Sequence, residues 1–339
     1  MNLLRLSKKV LSPPAIPLQN GRMSRTTASA ALMLCVGLFA SAPSQAGEVK
    51  ISKQDGKLRI EVDGKHFTDY VYEGYSRPFL FPIIGPGGAK MTRNWPIVEG
   101  VPNEQEDHPH QKSLWWAHGD MNGVDFWAET AKSGKTVHEE FTAIESGEVG
   151  VIKSRNKYVA PDGKVVCRDE RTLRIYPGSQ GRTFDFEITL RAGDDGLTLG
   201  DTKEGTMAMR LAATMRLKGK VGKGHIVNSE GQRDGQTWGK RAKWVDYYGP
   251  VEDNIVGVAI FDHPSNPRHP TWWHVRDYGL FAANPLGIHD FEKKPPGTGD
   301  LKVGAAEKIT FKYRFYLHSG DEKEGKVSDE YDRYVKQSR

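Results

Sequence analysis

The sequence predicts an all-β chain: a large antiparallel β-sandwich with a short C-terminal helix. Three observations lead there. Apolar and polar residues alternate with period two over several long runs, as strands with one buried and one wet face require. Turn pairs suited to hairpins punctuate these runs. Helical periodicity is scarce.

The elements follow in order along the chain. Basic residues (Lys8, Lys9, Arg22, Arg25) precede an apolar run from Ala28 to Ala40, and Ser44-Gln45-Ala46 fits a small-x-small cleavage site. Residues 1–46 are therefore expected to be a secretory signal peptide cut after Ala46, with an apolar run too short to span a bilayer. Residues 47–339 are expected to form one large β-sandwich domain, periplasmic or secreted. Lys57-Leu58-Arg59-Ile60-Glu61-Val62 alternates, meets Asp63-Gly64, and continues into a second extended run from His66 to Tyr72. Pro161-Asp162-Gly163 marks another hairpin, between Lys157–Ala160 and Val165–Cys167. Phe184–Leu190 and Ile309–Leu317 alternate strictly, Asn254–Phe261 is apolar on both faces as a central strand would be, and Met207–Met215 reads as a strand. Ser328 is the expected cap of a C-terminal helix with Tyr331, Tyr334 and Val335 on its inner stripe.

Composition narrows the function. Once the first 46 residues are removed only Cys167 remains, so no intramolecular disulfide can form and stability must come from packing. The net charge of +5 is small and interleaved with acidic residues, which argues against a nucleic-acid partner. No segment after the signal is apolar enough to cross a membrane. Eight tryptophans, within an aromatic content of 10%, exceed what a core alone needs and point to a ligand surface.

Chemistry concentrates in residues 106–127, EDHPHQKSLWWAHGDMNGVDFW, with three histidines, three tryptophans and three aspartates. Pro109 is expected to keep His108 extended, so that His108 and His110 project together. Asn122-Gly123 is a strong two-residue hairpin signal. The register it implies sets His118, Asp120, Asp125 and Trp127 on one face. Imidazole beside carboxylate is the apparatus of general acid–base chemistry, and Trp115, Trp116 and Trp127 offer flat platforms for sugar rings. The same residues (His108, His110, His118 and Asp125) would be the ligands if a divalent metal were held, since His-x-His with carboxylate suits such ions.

A second stretch, DHPSNPRHPTWWHVRDYG from Asp262 to Gly279, repeats the composition with His263, His269, His274, Trp272, Trp273 and Arg276. The extended chain there puts Trp272, His274 and Arg276 on one face. Between the two stretches, Gly200-Asp201-Thr202-Lys203-Glu204-Gly205 offers Glu204 as acid or base and Lys203 as its charge partner. Arg77 and the Gly/Pro-rich loop Pro82–Gly88 are expected to approach the same cleft. No dinucleotide, phosphate-loop, Gly-x-Ser-x-Gly or Cys-x-x-Cys pattern is present.

Taken together, RPFLFPIIGPGG, the 106–127 segment, LGDTKEG and DHPSNPRHPTWWHVRDYGLFAANPLG resemble the bacterial family labelled "methane oxygenase PmoA". The resemblance spans about residues 50 to 335. It implies an exported β-sandwich protein of the carbohydrate-degrading kind, consistent with a mutarotase-like supersandwich. Where the family pattern reads His-Pro-His-His, this chain has Gln111.

The expected function is a carbohydrate-active enzyme that hydrolyses, eliminates or epimerises a glycoside. His108, His110, His118, Asp125, Glu204 and His274 are its acid–base candidates. Arg77, Trp115, Trp116, Asn122, Trp127, Lys203, His263, Trp272, Trp273 and Arg276 are its binding candidates. The substrate is a small molecule or oligosaccharide, and no cofactor is required. A non-catalytic glycan-binding protein and a His-x-His metal enzyme are the alternatives. The oligomeric state is not legible.

Overall fold

Asp63 and Gly64 both take positive φ (52° and 70°) and close the hairpin between strands Lys57–Val62 and Lys65–Val71, as their residue types favour. The computed structural model to which this hairpin belongs describes residues 47–178 and 181–337. The signal peptide expected over residues 1–46 lies outside the described residues.

Two eight-stranded antiparallel sheets carry the fold. The first runs, edge to edge, Val49–Gln54, Lys57–Val62, Lys65–Val71, Phe79–Phe81, Leu114–His118, Gly205–Arg210, Leu280–Asn284 and Trp272–Val275. The second runs His225–Asn228, Trp244–Val251, Asn254–Asp262, Lys308–Ser319, Gly181–Ala192, Val165–Tyr176, Gly150–Val159 and Lys135–Glu145. A two-stranded ribbon, Leu197–Leu199 with Leu301–Val303, stands apart from both.

The alternating runs supply the core between these sheets. Phe184, Phe186, Ile188 and Leu190 are buried on one strand, and Phe311, Tyr313, Phe315 and Leu317 on its neighbour. Phe184 stacks on Phe315 at 4.7 Å. From the first sheet, Phe67 packs on Phe184, and Trp116 reaches both Tyr158 and Phe311 of the second. Each such side chain contributes roughly 1.5–3 kcal/mol by leaving water. The double-sided apolarity of Asn254–Phe261 also has its reason. One face joins this core, while Phe261 on the other meets Tyr331 and Tyr334 of the helix Val327–Gln337.

A charged network is sealed among the strands of the second sheet. Asp169 accepts hydrogen bonds from Asn156 Nδ2 (2.6 Å), Tyr158 Oη (2.7 Å) and the Nε and Nη2 of Arg171. All four residues are buried.

Three local expectations are corrected. The strand predicted over Met207–Met215 ends at Arg210, and a single 3-10 turn follows at Ala213–Met215. The C-terminal helix begins at Val327, so Ser328 lies inside it rather than capping it. His108 is not extended: its φ is +48°, because Arg93 draws the carbonyls of Gln105, Asp107 and His108 around its guanidinium.

Candidate functional site

Strand register brings the two aromatic-rich stretches together. Leu114–His118 from the first and Trp272–Val275 from the second lie in the same sheet, separated by Gly205–Arg210 and Leu280–Asn284. Trp115 pairs with Ala208, Ala208 with Ala282, and Ala282 with His274. At about 4.8 Å per strand this row spans about 14 Å. It lies on the face turned away from the main core, where Phe79, Trp115, Ala117, Trp127, Ala208, Leu280 and Ala282 form a separate cluster. The two alanines keep the middle of the row low between an indole and an imidazole.

His274 is positioned by its neighbours' main chain. Its Nδ1 lies 2.7 Å from the carbonyl oxygen of Lys203. A carbonyl can only accept, so Nδ1 carries the proton and the neutral ring presents its Nε2 lone pair. Nε2 has no partner among the described residues. Burial pushes this imidazole's pKa below its ordinary value, the Lys203 carbonyl and the Glu204 charge pull it up, and Arg276 lowers it.

The loop that offers this carbonyl is held at several points. Asp201 accepts from the backbone N–H of His289 and Gly299, Lys203 N–H donates to Asp290 Oδ2 (3.0 Å), and Asn284 Nδ2 donates to the Thr202 carbonyl (2.9 Å). Lys203 Nζ in turn sits 3.3 Å from Glu204 Oε1.

The solvent side of the patch is a chain of ring contacts. Trp238 and Phe291 stand edge-on to His274 at 6.3 and 6.2 Å. Arg276 lies over the rings of Trp238 and Tyr278. His108 stacks on Tyr278 at 5.4 Å and meets His110 edge-on at 5.6 Å. His110 continues to Trp127, and Trp127 to Trp115 at 5.2 Å. Glu204, Arg276, Tyr278 and Trp238 are half-buried and His108 is exposed, whereas His274, Trp115 and Trp127 are buried.

A cationic corner adjoins Trp127. Arg77 Nη2 donates to the Trp127 carbonyl (2.7 Å) and lies 3.4 Å from Glu129 Oε1. Glu129 also accepts from Ser76 and Lys112. Nearby, Arg93 and Arg210 both bind Asp107 Oδ1, at 2.6 and 2.8 Å, and Arg210 Nη1 binds the Gln111 side-chain oxygen at 2.5 Å. Gln111 therefore anchors the Asp-His-Pro-His segment to the sheet.

Of the residues singled out in the sequence, Arg77, His108, His110, Trp115, Trp127, Lys203, Glu204, His274 and Arg276 belong to this one patch. The others do not. Strand parity turns Trp116 and Trp273 into the main core, where the Trp273 indole N–H donates to the Ala242 carbonyl. His118 is also turned inward and fully buried, its Nε2 2.8 Å from the Gly200 carbonyl. The predicted shared face of His118, Asp120, Asp125 and Trp127 is thus corrected. Asp120 bonds the Gly123 N–H, and Asp125 bonds the N–H groups of Trp127 and Ala128. Both carboxylates serve turns.

Asn122 ties the hairpin tip to Gly196 and Thr198. His263 engages Ser265 and Tyr334 at the C-terminal helix. Trp272 commits its indole N–H to Glu292 and stacks under Arg241. With His118 facing the opposite side of the sheet, the set His108, His110, His118 and Asp125 cannot share one ion. Among the described residues no three His, Cys, Asp or Glu side chains gather as a metal requires. Tyr278, Trp238, Glu129, Lys112 and Arg210 were not singled out. Tyr278 and Lys112 lay inside the two stretches singled out for their composition, whereas Trp238, Glu129 and Arg210 carried no such signal.

Burial has one measurable consequence away from the patch. His118 is held down to about 4, chiefly because its charged form is desolvated. Between that value and 6.5 the unfolded chain binds the extra proton, so stability is full above pH 6.5 and falls as pH drops toward 4. The expected loss is about 3 kcal/mol. Urea titrations at pH 7 and pH 4.5 should show this slope, and His118→Gln, whose amide can still donate to Gly200, should make it shallower, with His110 contributing to what is left. An unchanged slope would assign the effect elsewhere.

Comparison with known proteins adds the following. Residues 57–332 match the family model described as "Family of unknown function (DUF6807)". No curated protein sequence compared with the chain matches it. Among solved structures the chain is similar to a galactose mutarotase related enzyme from Lactobacillus acidophilus, with 9% identity, 80% of this chain and 97% of that chain covered, and a TM-score of 0.27. A galactose mutarotase-like protein from Lactobacillus casei gives 8% identity, 80% and 100% coverage, and a TM-score of 0.31. A 4-alpha-glucanotransferase from Thermococcus litoralis gives 10% identity and a TM-score of 0.25 over 80% of this chain and 37% of that one. Among the described residues no helix is long and apolar enough to cross a membrane.

Proposed function

The chain belongs to the DUF6807 family, and for this member we propose an exported carbohydrate-active enzyme that works by proton transfer on a small glycoside or oligosaccharide. The observation that carries the reading is the unprotonated, unpartnered Nε2 of His274, on the same sheet face as Trp115 and Trp127 and beside Glu204. A neutral imidazole below its ordinary pKa is a ready base at pH 7. Glu204 is the nearby carboxylate that stabilises the imidazolium formed, and Arg276 and Lys203 are placed to steady negative charge developing on the substrate. Half-exposed Trp238 and Tyr278, with exposed His108, are the flat surfaces a sugar ring meets first. Hydrolysis, elimination and epimerisation all draw on this apparatus, and none needs a cofactor here.

A second reading, a glycan-binding protein without turnover, is favoured by one observation. The indole N–H groups of Trp115, Trp127 and Trp238 are all unpartnered among the described residues, and they would serve binding whether or not chemistry follows.

The test uses a panel of neutral and acidic glycosides followed by polarimetry, reducing-end release and ultraviolet absorbance of unsaturated products. Wild type should turn over at least one of them. Glu204→Gln should lower kcat by about ten- to a hundredfold. It should also move the acid limb of the rate profile to lower pH, because the carboxylate's charge raises the His274 pKa. Binding of a panel sugar with no turnover by any of the three readouts would leave the second reading standing.

A further inference from the structure

We propose that the sugar taken by this face carries a carboxylate, as a uronic acid does, and that Arg77 with the indole N–H groups of Trp115 and Trp127 receives it. This inference rests on the carbohydrate reading above and names the substrate class for the same site.

Arg77 Nη1, Trp115 Nε1 and Trp127 Nε1 are each buried and without a partner among the described residues. None of the three can accept a hydrogen bond, so an acceptor-rich group such as a carboxylate matches them. They belong to one connected corner. Arg77 Nη2 holds the Trp127 carbonyl at 2.7 Å, and the Trp115 and Trp127 rings lie 5.2 Å apart.

Two cations and two carboxylates meet in this corner, yet no carboxylate reaches Arg77 Nη1. Glu129 is shared by Arg77, Lys112 and Ser76, so one carboxylate answers two cations. Asp125 adds a second negative charge that Arg77 feels, but its Oδ1 is held by the N–H groups of Trp127 and Ala128 and not by the guanidinium. His110, which packs against Trp127, senses the balance. Burial first, then the charges of Arg77 and His108, hold its pKa down to about 4 against the opposing pull of Glu129. A planar carboxylate suits the remaining guanidinium N–H better than a neutral hydroxyl does, because the contact is charge-assisted.

Calorimetric titration tests this with trimers of galacturonate, glucuronate and mannuronate, each beside its methyl ester. The ester keeps the skeleton and removes the charge. Wild type should bind at least one acid trimer about tenfold or more tighter than its ester. Trp127→Phe and Trp115→Phe remove the N–H groups while keeping a smaller aromatic ring, and melting temperatures check that the fold is kept. Each should lower affinity for the acid by about three- to tenfold more than it lowers affinity for the ester, so that the acid preference shrinks. Arg77→Lys, checked for folding by its melting temperature, should weaken the acid further. Equal binding of acid and ester, or an acid preference that survives both indole variants, overturns the carboxylate assignment and leaves the carbohydrate reading intact. Binding of neutral or sulfated oligosaccharides with no uronate trimer bound overturns it equally. If no sugar of any kind binds, the carbohydrate reading falls, and this inference falls with it.

Discussion

Replacing His274 by asparagine is expected to lower kcat on any glycan the wild type turns over by about 10²- to 10⁴-fold, while sugar affinity stays within a few-fold. The variant is chosen from the geometry. Asparagine can still donate to the Lys203 carbonyl that holds Nδ1, so the loop keeps its anchor, but it has no basic nitrogen to stand where Nε2 stands. The loss then reports chemistry rather than folding.

The pH profile adds a second readout. The base acts only when neutral, and burial lowers its pKa beneath the ordinary 6.5. The rate should therefore hold through pH 7 and decline only as pH falls below about 6.5. A His274→Asn protein that keeps its turnover, or a wild-type rate that already declines on going from pH 8 to pH 7, would exclude this imidazole as the base.

The largest stability effect is expected at Asp169. Removing its carboxylate in Asp169→Ala strands the Arg171 guanidinium, which donates two hydrogen bonds to it in a fully buried setting. Breaking a buried pair by deleting one partner costs about 3–5 kcal/mol, because the remaining charge has neither water nor counterion. Asn156 Nδ2 and Tyr158 Oη lose their acceptor in the same step. The double variant Asp169→Leu with Arg171→Met removes both charges, and it should recover most of the loss, since buried ion pairs often break even against apolar residues of similar size. Urea denaturation of the three proteins measures this. A single variant within 1 kcal/mol of wild type would mean that water reaches Arg171.

Much of the architecture was legible because strands with one wet face write their burial into the sequence. Phe184–Leu190 and Ile309–Leu317 announced both their type and their inward side, and Asp63-Gly64 and Pro161-Asp162-Gly163 placed their turns. The site was harder for a definite reason. Leu114–His118 is buried on both faces, and its one polar residue, His118, turns inward with Trp116, so LWWAH gives no wet face to show which indole points out. Parity assigned Trp116 to the core and Trp115 to the outer face. The reading that made His118 catalytic extended the Asn122-Gly123 hairpin past its true length. Met121 does pair with Val124, yet Asp120 and Asp125 then bond nearby backbone N–H groups, and the ladder stops.

Trp238 was invisible because its ring reaches His274 only through folding of a loop without periodicity. That Glu204, His274 and Arg276 lie near one another was legible because polar residues next to Gly- and Pro-bounded loops leave a trace in the sequence.

The partner of the His274 Nδ1 is a peptide carbonyl, and every amino acid possesses one. An exchange at position 203 can alter charge or bulk but cannot delete the acceptor that selects the ring's tautomer. Sequence drift at that position therefore leaves the imidazole's orientation intact so long as the loop path is kept. The vulnerable positions are instead Asp201, Asn284 and Asp290, whose side chains hold that path from outside the imidazole's own strand.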